Sequence, residues 1–93
     1  MREKSIEEKL VAAVKAVGGV CWKFTSPGTA GVPDRIVLMP QGRIAFVEVK
    51  APGETPRPLQ RLRIKTLQRL GFKVFVLDST QQIGGIIDAI QTT

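Results

Sequence analysis

Residues 31–50 read GVPDRIVLMPQGRIAFVEVK, and this stretch decides the fold. Two mostly apolar segments, 35–39 and 43–50, are separated only by residues 40–42, which read PQG. Two strand-forming segments joined by so short a turn are typical of a β-hairpin. We therefore predict an antiparallel pair of strands over this part of the chain.

The predicted hairpin brings three ionisable side chains together at its open end. Counting back from the turn along both arms puts Asp34 opposite residues 48–50. Residues directly opposite each other in an antiparallel pair lie about 5 Å apart. Because side chains alternate along a strand, Glu48 and Lys50 share one face and the neighbouring valines point to the other. The sequence thus predicts two carboxylates and one ammonium group side by side.

This cluster has two interpretations. In the first, it is a salt-bridged strand end, in which Lys50 neutralises Glu48 and Asp34 caps a turn. In the second, it is a metal site, because two adjacent carboxylates repel each other unless a cation lies between them. Oxygen ligands without His or Cys suit Mg²⁺, with Mn²⁺ as a substitute. A metal there would activate a water and polarise a phosphoryl oxygen, and Lys50 would stabilise the transition state, so this interpretation predicts phosphodiester hydrolysis.

Composition narrows the functional classes. The 93 residues are expected to form one domain, 1–93, and 14 Lys and Arg against 8 Asp and Glu give a net charge of +6. Such an excess favours a polyanionic partner, most commonly nucleic acid, with an anionic membrane or simply a soluble charged surface as the alternatives. The chain has no histidine, which removes the commonest general base and the usual zinc ligand. The single cysteine, Cys21, is expected to be packed, and without a signal peptide or spanning segment we expect an intracellular protein with no membrane partner.

The remaining chain alternates helical and extended patterns. Its last strand, a nearly continuous apolar run, is expected to be covered on both faces. Ser5 is expected to cap the first helix, with Glu8 three residues further on, and Gly18 and Gly19 to end it. The order α-β-β-β-α-β-α predicts a mixed α/β fold around a small sheet. The predicted helices are 5–17, 58–70 and 80–90, and the predicted strands are 20–25, 35–39, 43–50 and 72–77.

The hairpin residues resemble a known nuclease superfamily. Gly31-Val-Pro-Asp34 followed by Val47-Glu-Val-Lys50 is similar to the PD-(D/E)xK motif, and the predicted element order matches that superfamily's core. Within it, the chain resembles the stand-alone VRR-NUC (virus-type replication-repair nuclease) domains from about Glu7 to Leu77. The resemblance implies a restriction-endonuclease-like fold and a Mg²⁺-dependent endodeoxyribonuclease without a small-molecule cofactor, in the cytoplasm of a bacterial or phage-infected host. Similar stand-alone nucleases cut four-way junctions as two-fold dimers, which implies a Holliday-junction resolvase acting as a homodimer in DNA repair.

The resemblance also implies a role for individual residues. Asp34 and Glu48 correspond to the metal-binding acids, and the backbone carbonyl of Val49 corresponds to a further metal ligand. Lys50 corresponds to the catalytic lysine. Gln60 corresponds to a helical glutamine near the attacking water, although an ordinary exposed helix position remains the alternative.

An acid from the first helix often completes such a site. Glu7 fits this role best, as a catalytic and metal-binding residue, because it lies at the edge of the helix's apolar stripe. Glu8 and Glu3 are alternatives, and a solvated helix charge is the simpler interpretation of Glu7.

Several polar and basic residues are candidate DNA contacts. Four basic residues recur every four positions along the predicted 58–70 helix and form a stripe beside Gln60. Residues 26–31 form a loop whose hydroxyls can donate to phosphate. A solvated charged face and a plain connector are the alternatives for the stripe and the loop. The predicted DNA contacts are Lys23, Ser26, Thr29, Arg35, Arg57, Arg61, Lys65 and Arg69.

Three further expectations complete the analysis. Trp22 and Phe24 are expected to pack in the core rather than stack on bases, so recognition would depend on DNA shape. The isoleucine stripe of the last helix is either a dimer interface or part of the core. Two other functions stay open: a catalytically silent DNA-binding module, and a nuclease that cuts or nicks simple duplex.

Overall fold

The computed structural model describes residues 1–92, which form four strands and three α-helices in the predicted order. Short 3-10 turns at Pro40–Gly42 and Thr80–Gln82 join β2 to β3 and β4 to α3. Within residues 1–92, no helix is long and apolar enough to cross a membrane. The elements are α1 (Glu3–Ala16), β1 (Val20–Lys23), β2 (Arg35–Met39), β3 (Arg43–Val49), α2 (Pro58–Arg69), β4 (Lys73–Leu77) and α3 (Ile83–Gln91).

The strands form one mixed sheet in the order β1-β2-β3-β4. β1 and β3 both pair antiparallel with β2, while β4 lies parallel to β3. In the hairpin, Arg35 is opposite Val47 and Met39 is opposite Arg43. The predicted register is therefore confirmed, and Asp34 comes to lie beside Glu48.

One face of the sheet is covered by α1 and α3 and forms the core. Ile6, Leu10 and Val14 of α1 are fully buried against the inward side chains of β2 and β3. The isoleucine stripe of α3 lies in the same cluster, so core packing is its role and it is not available as an interface. Burying each aliphatic side chain contributes about 1.5–3 kcal/mol. The buried residues of the stripe are Ile83, Ile86, Ile87 and Ile90.

The other face of the sheet is only partly covered, by α2. Phe46 is buried between Phe24 and Phe72, with ring centroids 5.3 and 5.7 Å away. Phe24 is half-buried and packs on Phe46 outside the core, so the core prediction holds for it only in part. The prediction is wrong for Trp22, which is 58% exposed on the edge strand β1. The prediction for β4 is also wrong, because β4 is the opposite edge strand and Val76 is exposed.

The sequence predicted the C-terminal end of α1 correctly but not its N-terminal end. The helix begins at Glu3 with Arg2 at the N-cap, so Ser5 lies inside the helix and the predicted Ser5 cap is wrong. A carboxylate in the first turn interacts favourably with the helix dipole, which explains the earlier start. At the other end, Gly18 takes a φ of 88° and ends the helix as predicted.

The single cysteine is packed, as predicted. Cys21 is buried among the core residues. Burial raises the pKa of its thiol to about 11, so the side chain is a neutral core residue and not a nucleophile at physiological pH.

Candidate active site

Asp34 is fixed by the backbone of the facing strand. It lies immediately before β2, and its Oδ2 accepts a hydrogen bond from the Val49 N–H at 2.9 Å. This bond spans the open end of the hairpin and aims the carboxylate at the end of β3. Its other oxygen, Oδ1, makes no hydrogen bond within residues 1–92.

Glu48 is a buried carboxylate held on one side only. It is 1% exposed, and its Oε2 accepts a hydrogen bond from Gln60 Nε2 at 2.7 Å. The same oxygen lies 3.2 Å from the Lys50 ammonium nitrogen. Its other oxygen, Oε1, is buried and has no hydrogen-bond partner within residues 1–92. Because buried polar atoms are almost always partnered, this oxygen indicates a place for a ligand.

The surroundings of Glu48 favour its neutral form. Burial is the main reason that the pKa of this carboxyl is raised, and the negative charge of Asp34 raises it further. Hydrogen bonding and the charge of Lys50 act in the opposite direction but do not cancel these effects. A cation placed between Asp34 and Glu48 would favour the charged form of Glu48 and so counteract both effects.

Gln60 connects Glu48 to the start of α2. Its Oε1 accepts the Arg57 N–H at 2.8 Å, as in a capping box, and its amide group donates to Glu48. Pro58 occupies the first turn, where a missing N–H costs nothing. Gln60 is only 9% exposed, so it is not an ordinary surface residue of the helix.

These side chains face one cavity of about 360 Å³, which we call the site cavity. It brings together the predicted Asp34, Glu48, Val49, Lys50 and Gln60. Glu54 and Thr55 were not among the predicted site residues, because their only signal in the sequence is their position in the loop directly after Lys50. The remaining lining residues are Glu3, Glu54, Thr55 and Arg57.

The donors of the site cavity fit a hard divalent cation. Asp34, Glu48 and the backbone at Val49 supply oxygen ligands, and the unpartnered Oε1 of Glu48 offers a buried one. No cluster of three or more Asp, Glu, His or Cys side chains suitable for a metal occurs among residues 1–92. A metal held here would therefore keep several water ligands, as Mg²⁺ commonly does.

Comparisons with known proteins identify the family of the chain. The sequence profile of the VRR-NUC domain matches residues 2–81. The chain belongs to the VRR-NUC domain family. A protein named "Putative nuclease p44", from Acyrthosiphon pisum secondary endosymbiont phage 1, is 51% identical over 90 residues, covering 97% of this chain and 96% of that protein. A solved structure described as a VRR-NUC domain matches with a TM-score of 0.87 and 32% identity, covering 92% of this chain and 94% of its own.

Family membership confirms the resemblance found in the sequence and makes this chain a nuclease domain. The 0.87 TM-score over nearly the whole chain also confirms the predicted mixed α/β fold. The roles of individual residues in this VRR-NUC domain rest on the contacts described above.

Glu7 does not line the site cavity. Its Oε2 accepts a hydrogen bond from Arg35 Nε at 2.7 Å and lies 3.5 Å from the Lys23 ammonium nitrogen. Glu3, one helical turn earlier on the same face of α1, lines the cavity instead. The sequence identified the face of the helix but not which of its turns would line the site cavity.

The predicted DNA contacts of the VRR-NUC domain differ in availability. The four basic residues of the α2 stripe, Arg57, Arg61, Lys65 and Arg69, are all exposed, and Arg57 also lines the site cavity. Lys23 is exposed, while Ser26 and Thr29 are half-buried in their loop. Arg35 is largely buried and bonds to Glu7 and to the Cys21 carbonyl, so in this arrangement it is a structural residue.

Proposed function

We propose that this VRR-NUC domain is a divalent-metal-dependent endonuclease that hydrolyses DNA phosphodiester bonds, with Mg²⁺ as the metal and Mn²⁺ able to substitute. One observation carries the proposal. Glu48 is buried with one oxygen unpartnered, beside a second acid and a lysine, at the wall of an accessible cavity. A salt-bridged strand end would not leave a buried carboxylate oxygen without a partner.

Asp34, Glu48 and the carbonyl of Val49 would hold the metal, and Glu3 of α1 lines the same cavity. When bound, the metal supplies Lewis-acid polarisation of a phosphoryl oxygen and lowers the pKa of a bound water. The Val49 N–H keeps Asp34 in place, so the carboxylate does not have to be ordered when a ligand arrives.

Lys50 and Gln60 act around this pair of acids. The Lys50 ammonium is mostly buried and lies 3.2 Å from Glu48, so it adds fixed positive charge where negative charge builds up on the phosphate. Gln60 donates to Glu48 Oε2, which orients the carboxylate and leaves Oε1 without a hydrogen-bond partner within residues 1–92. Such outer hydrogen bonds typically change metal affinity or activity by about 10–100-fold.

Branched DNA as the substrate and a homodimer as the active form belong to the same proposal, in the cytoplasm of a bacterial or phage-infected host. The charge of +6 and the exposed basic stripe of α2 support a DNA partner. A symmetric four-way junction needs two cuts, which a two-fold dimer supplies. Val20 and Trp22, exposed on the edge strand β1, support self-association through that side of the sheet.

The test is cleavage of a labelled four-way junction and a matched duplex, with and without Mg²⁺. Asp34→Ala, Lys50→Ala and Gln60→Ala are each compared with a variant that loses the same residue type from an exposed position. We expect losses of at least about 10-fold for Gln60→Ala and more than about 100-fold for the other two. The matched controls are Asp88→Ala, Lys9→Ala and Gln68→Ala.

The controls should cleave like the wild type. Unchanged cleavage by both the Asp34 and the Lys50 variants contradicts the proposal. Binding without any cleavage would favour the silent DNA-binding module, and equal rates on junction and duplex would favour a simple duplex nuclease.

A further inference from the structure

A second cavity adjoins the site cavity on the side of α2. It has a volume of about 460 Å³ and lies between residues 30–32 and the first turn of α2; we call it the side groove. Arg57 and Gln60 line both cavities, so the side groove begins where the site cavity ends. Its size falls within the roughly 300–1,000 Å³ of typical ligand pockets.

The side groove has a fixed shape. Gly31 takes a φ of 88°, and a Cβ at this position would lie 2.9 Å from Leu59 Cγ and 3.1 Å from the Leu59 carbonyl oxygen. Only glycine permits this close approach of the loop to the helix. Arg63 Nε donates to the Ala30 carbonyl oxygen at 2.8 Å and ties the loop to α2 a second time. The groove is therefore formed before any ligand binds.

The lining of the side groove is mostly apolar, with one amide and one positive charge where it meets the site cavity. Its apolar residues are Ala30, Gly31, Val32, Pro58 and Leu59, and its polar residues are Gln60 and Arg57. Leu59 is 43% exposed within this lining, so its side chain is accessible to a ligand in the groove. Arg57 makes no ion pair with any of residues 1–92 and so is free to bind an anion at the junction of the two cavities.

This combination matches one nucleotide. A base has large apolar faces, which aliphatic side chains can cover, and it is attached to an anionic phosphate, which a guanidinium binds. The site cavity on the other side of Arg57 holds the groups proposed to act on a phosphodiester. The occupant of the side groove is then the nucleotide directly next to the phosphate that is cut.

We propose that the side groove receives the unstacked base of the nucleotide adjoining the scissile phosphate. This inference rests on the proposed nuclease function and names the feature of the substrate that the site reads. Pulling a base out of a duplex costs a few kcal/mol, and less where the base is already unpaired. The groove therefore favours cleavage at branch points and other interruptions over cleavage of continuous duplex.

Leu59 and Leu62 provide a matched pair for the test. Both are exposed leucines on α2, at 43% and 53%, but only Leu59 lines the side groove. Leu59→Ala and Leu62→Ala are assayed in single turnover with Mg²⁺, on a four-way junction and on a duplex of the same sequence around the cut. We expect Leu59→Ala to lose about tenfold in rate on the junction relative to Leu62→Ala, equivalent to about 1.4 kcal/mol. The loss of rate on duplex should be smaller. The ratio of junction to duplex cleavage rates should therefore be lower for Leu59→Ala than for Leu62→Ala.

Occupancy of the groove is read separately with 2-aminopurine, a fluorescent base, placed next to the cut. Without divalent metal, so that the DNA stays intact, binding of the wild type and of Leu62→Ala should raise its fluorescence because the base leaves the stack. Binding of Leu59→Ala should raise it less.

The outcomes distinguish a failure of the side-groove inference from a failure of the nuclease proposal. If the wild type cleaves but the two leucine variants behave alike in both assays, the side groove does not hold the base and the nuclease proposal stands. If the wild type cleaves none of the substrates with Mg²⁺ or Mn²⁺, the nuclease proposal fails and this inference fails with it.

Discussion

The features of Glu48 that suit it to the proposed activity also lower the stability of the metal-free protein. It is buried, its pKa is raised first by burial and then by Asp34, and one of its oxygens has no partner within residues 1–92. Side chains of this kind are common at functional sites, where the ligand supplies the missing interaction. In the metal-free protein, the buried charge of Glu48 therefore lowers the stability of the fold. The same carboxylate is the one proposed to bind the catalytic metal.

Replacing Glu48 by glutamine should stabilise the metal-free protein and remove cleavage. Because the pKa of Glu48 is raised above its ordinary value of 4.5, the folded state binds the proton more tightly than the unfolded state. The stability from this group is complete below about pH 4.5 and is lost as the pH rises through the raised pKa. Glutamine is neutral throughout, so the Tm advantage of Glu48→Gln should grow with pH.

The measurement is thermal unfolding in EDTA at pH 4 and pH 8, with Glu8→Gln, at an exposed position, as the matched control. Cleavage by Glu48→Gln should fall by more than about 100-fold, because even outer-shell changes cost about 10–100-fold. A variant less stable than the wild type at pH 8 would show that the charged form of Glu48 is the favoured one.

At the scale of the element, α1 presents two acids to the site side of the molecule. Glu3 and Glu7 lie one turn apart, but Glu3 lines the site cavity while Glu7 bonds to Arg35. The 2.7 Å bond between Glu7 and Arg35 attaches the helix to β2 directly after Asp34. Glu3 therefore lies at the wall of the site cavity, and Glu7 holds the helix in place.

Substitutions of Glu3 and Glu7 should have different effects on metal binding and on stability. Glu3→Gln should weaken Mn²⁺ binding, measured by calorimetry, by about 10-fold while changing stability little. Glu7→Gln should lower the free energy of unfolding by about 1–3 kcal/mol, because it leaves the largely buried Arg35 without its charged partner. If Glu7→Gln weakened Mn²⁺ binding and Glu3→Gln did not, Glu7 would be the acid at the metal site.

The turn between α1 and β1 depends on a glycine without space for a side chain. A Cβ on Gly19 would lie 2.6 Å from Met39 Sδ and 2.7 Å from the Leu38 carbonyl oxygen. The carbonyl belongs to β2 and cannot move without disturbing the sheet. This close approach lets the end of α1 pack directly against the hairpin.

Gly19→Ala should therefore lower the free energy of unfolding, by about 1–3 kcal/mol. Gly85→Ala is the opposite case, because Gly85 lies inside α3 and a Cβ there meets nothing within 4 Å. It should stabilise the protein by about 0.4–1 kcal/mol through the lower entropy of the unfolded chain. Urea unfolding measures both, and equal effects would contradict the packing described for Gly19.

At the scale of the whole molecule, the two faces of the sheet are covered unequally. α1 and α3 bury one face, while α2 covers only part of the other. Val20 and Trp22 remain exposed on β1, whose outer edge pairs with no strand within residues 1–92. Such an edge is normally protected, and a second copy of the chain would protect it.

Trp22→Ser should raise the dissociation constant of the proposed dimer by at least about 30-fold, since a buried interface tryptophan is worth about 2 kcal/mol or more. Leu70→Ser, which changes an equally exposed apolar residue after α2, should leave the dimer intact. Analytical ultracentrifugation distinguishes the two. Trp22 is the only tryptophan, so its fluorescence should also shift with concentration. A wild type that stays monomeric would exclude this interface.

Much of the site was predictable because it lies within one hairpin. The short turn and the alternation of side chains were enough to place Asp34 beside Glu48 and to put Lys50 on the same side as Glu48. Gln60 could be selected only by resemblance, since nothing in its helix reveals a partner twelve residues earlier. Trp22 and β4 were predicted incorrectly because apolar composition does not reveal which strands lie at the edge of a sheet.

The sequence by itself determined the element order, the hairpin register and the grouping of two acids with a lysine, because these follow from turn length and a period of two. Only the tertiary structure decided that Glu48 is buried with an unpartnered oxygen, that Glu3 rather than Glu7 lines the site cavity, and that a side groove adjoins it. The reason is physical. Local periodicity fixes which face a side chain is on, whereas burial and contact depend on how elements distant in sequence pack against each other.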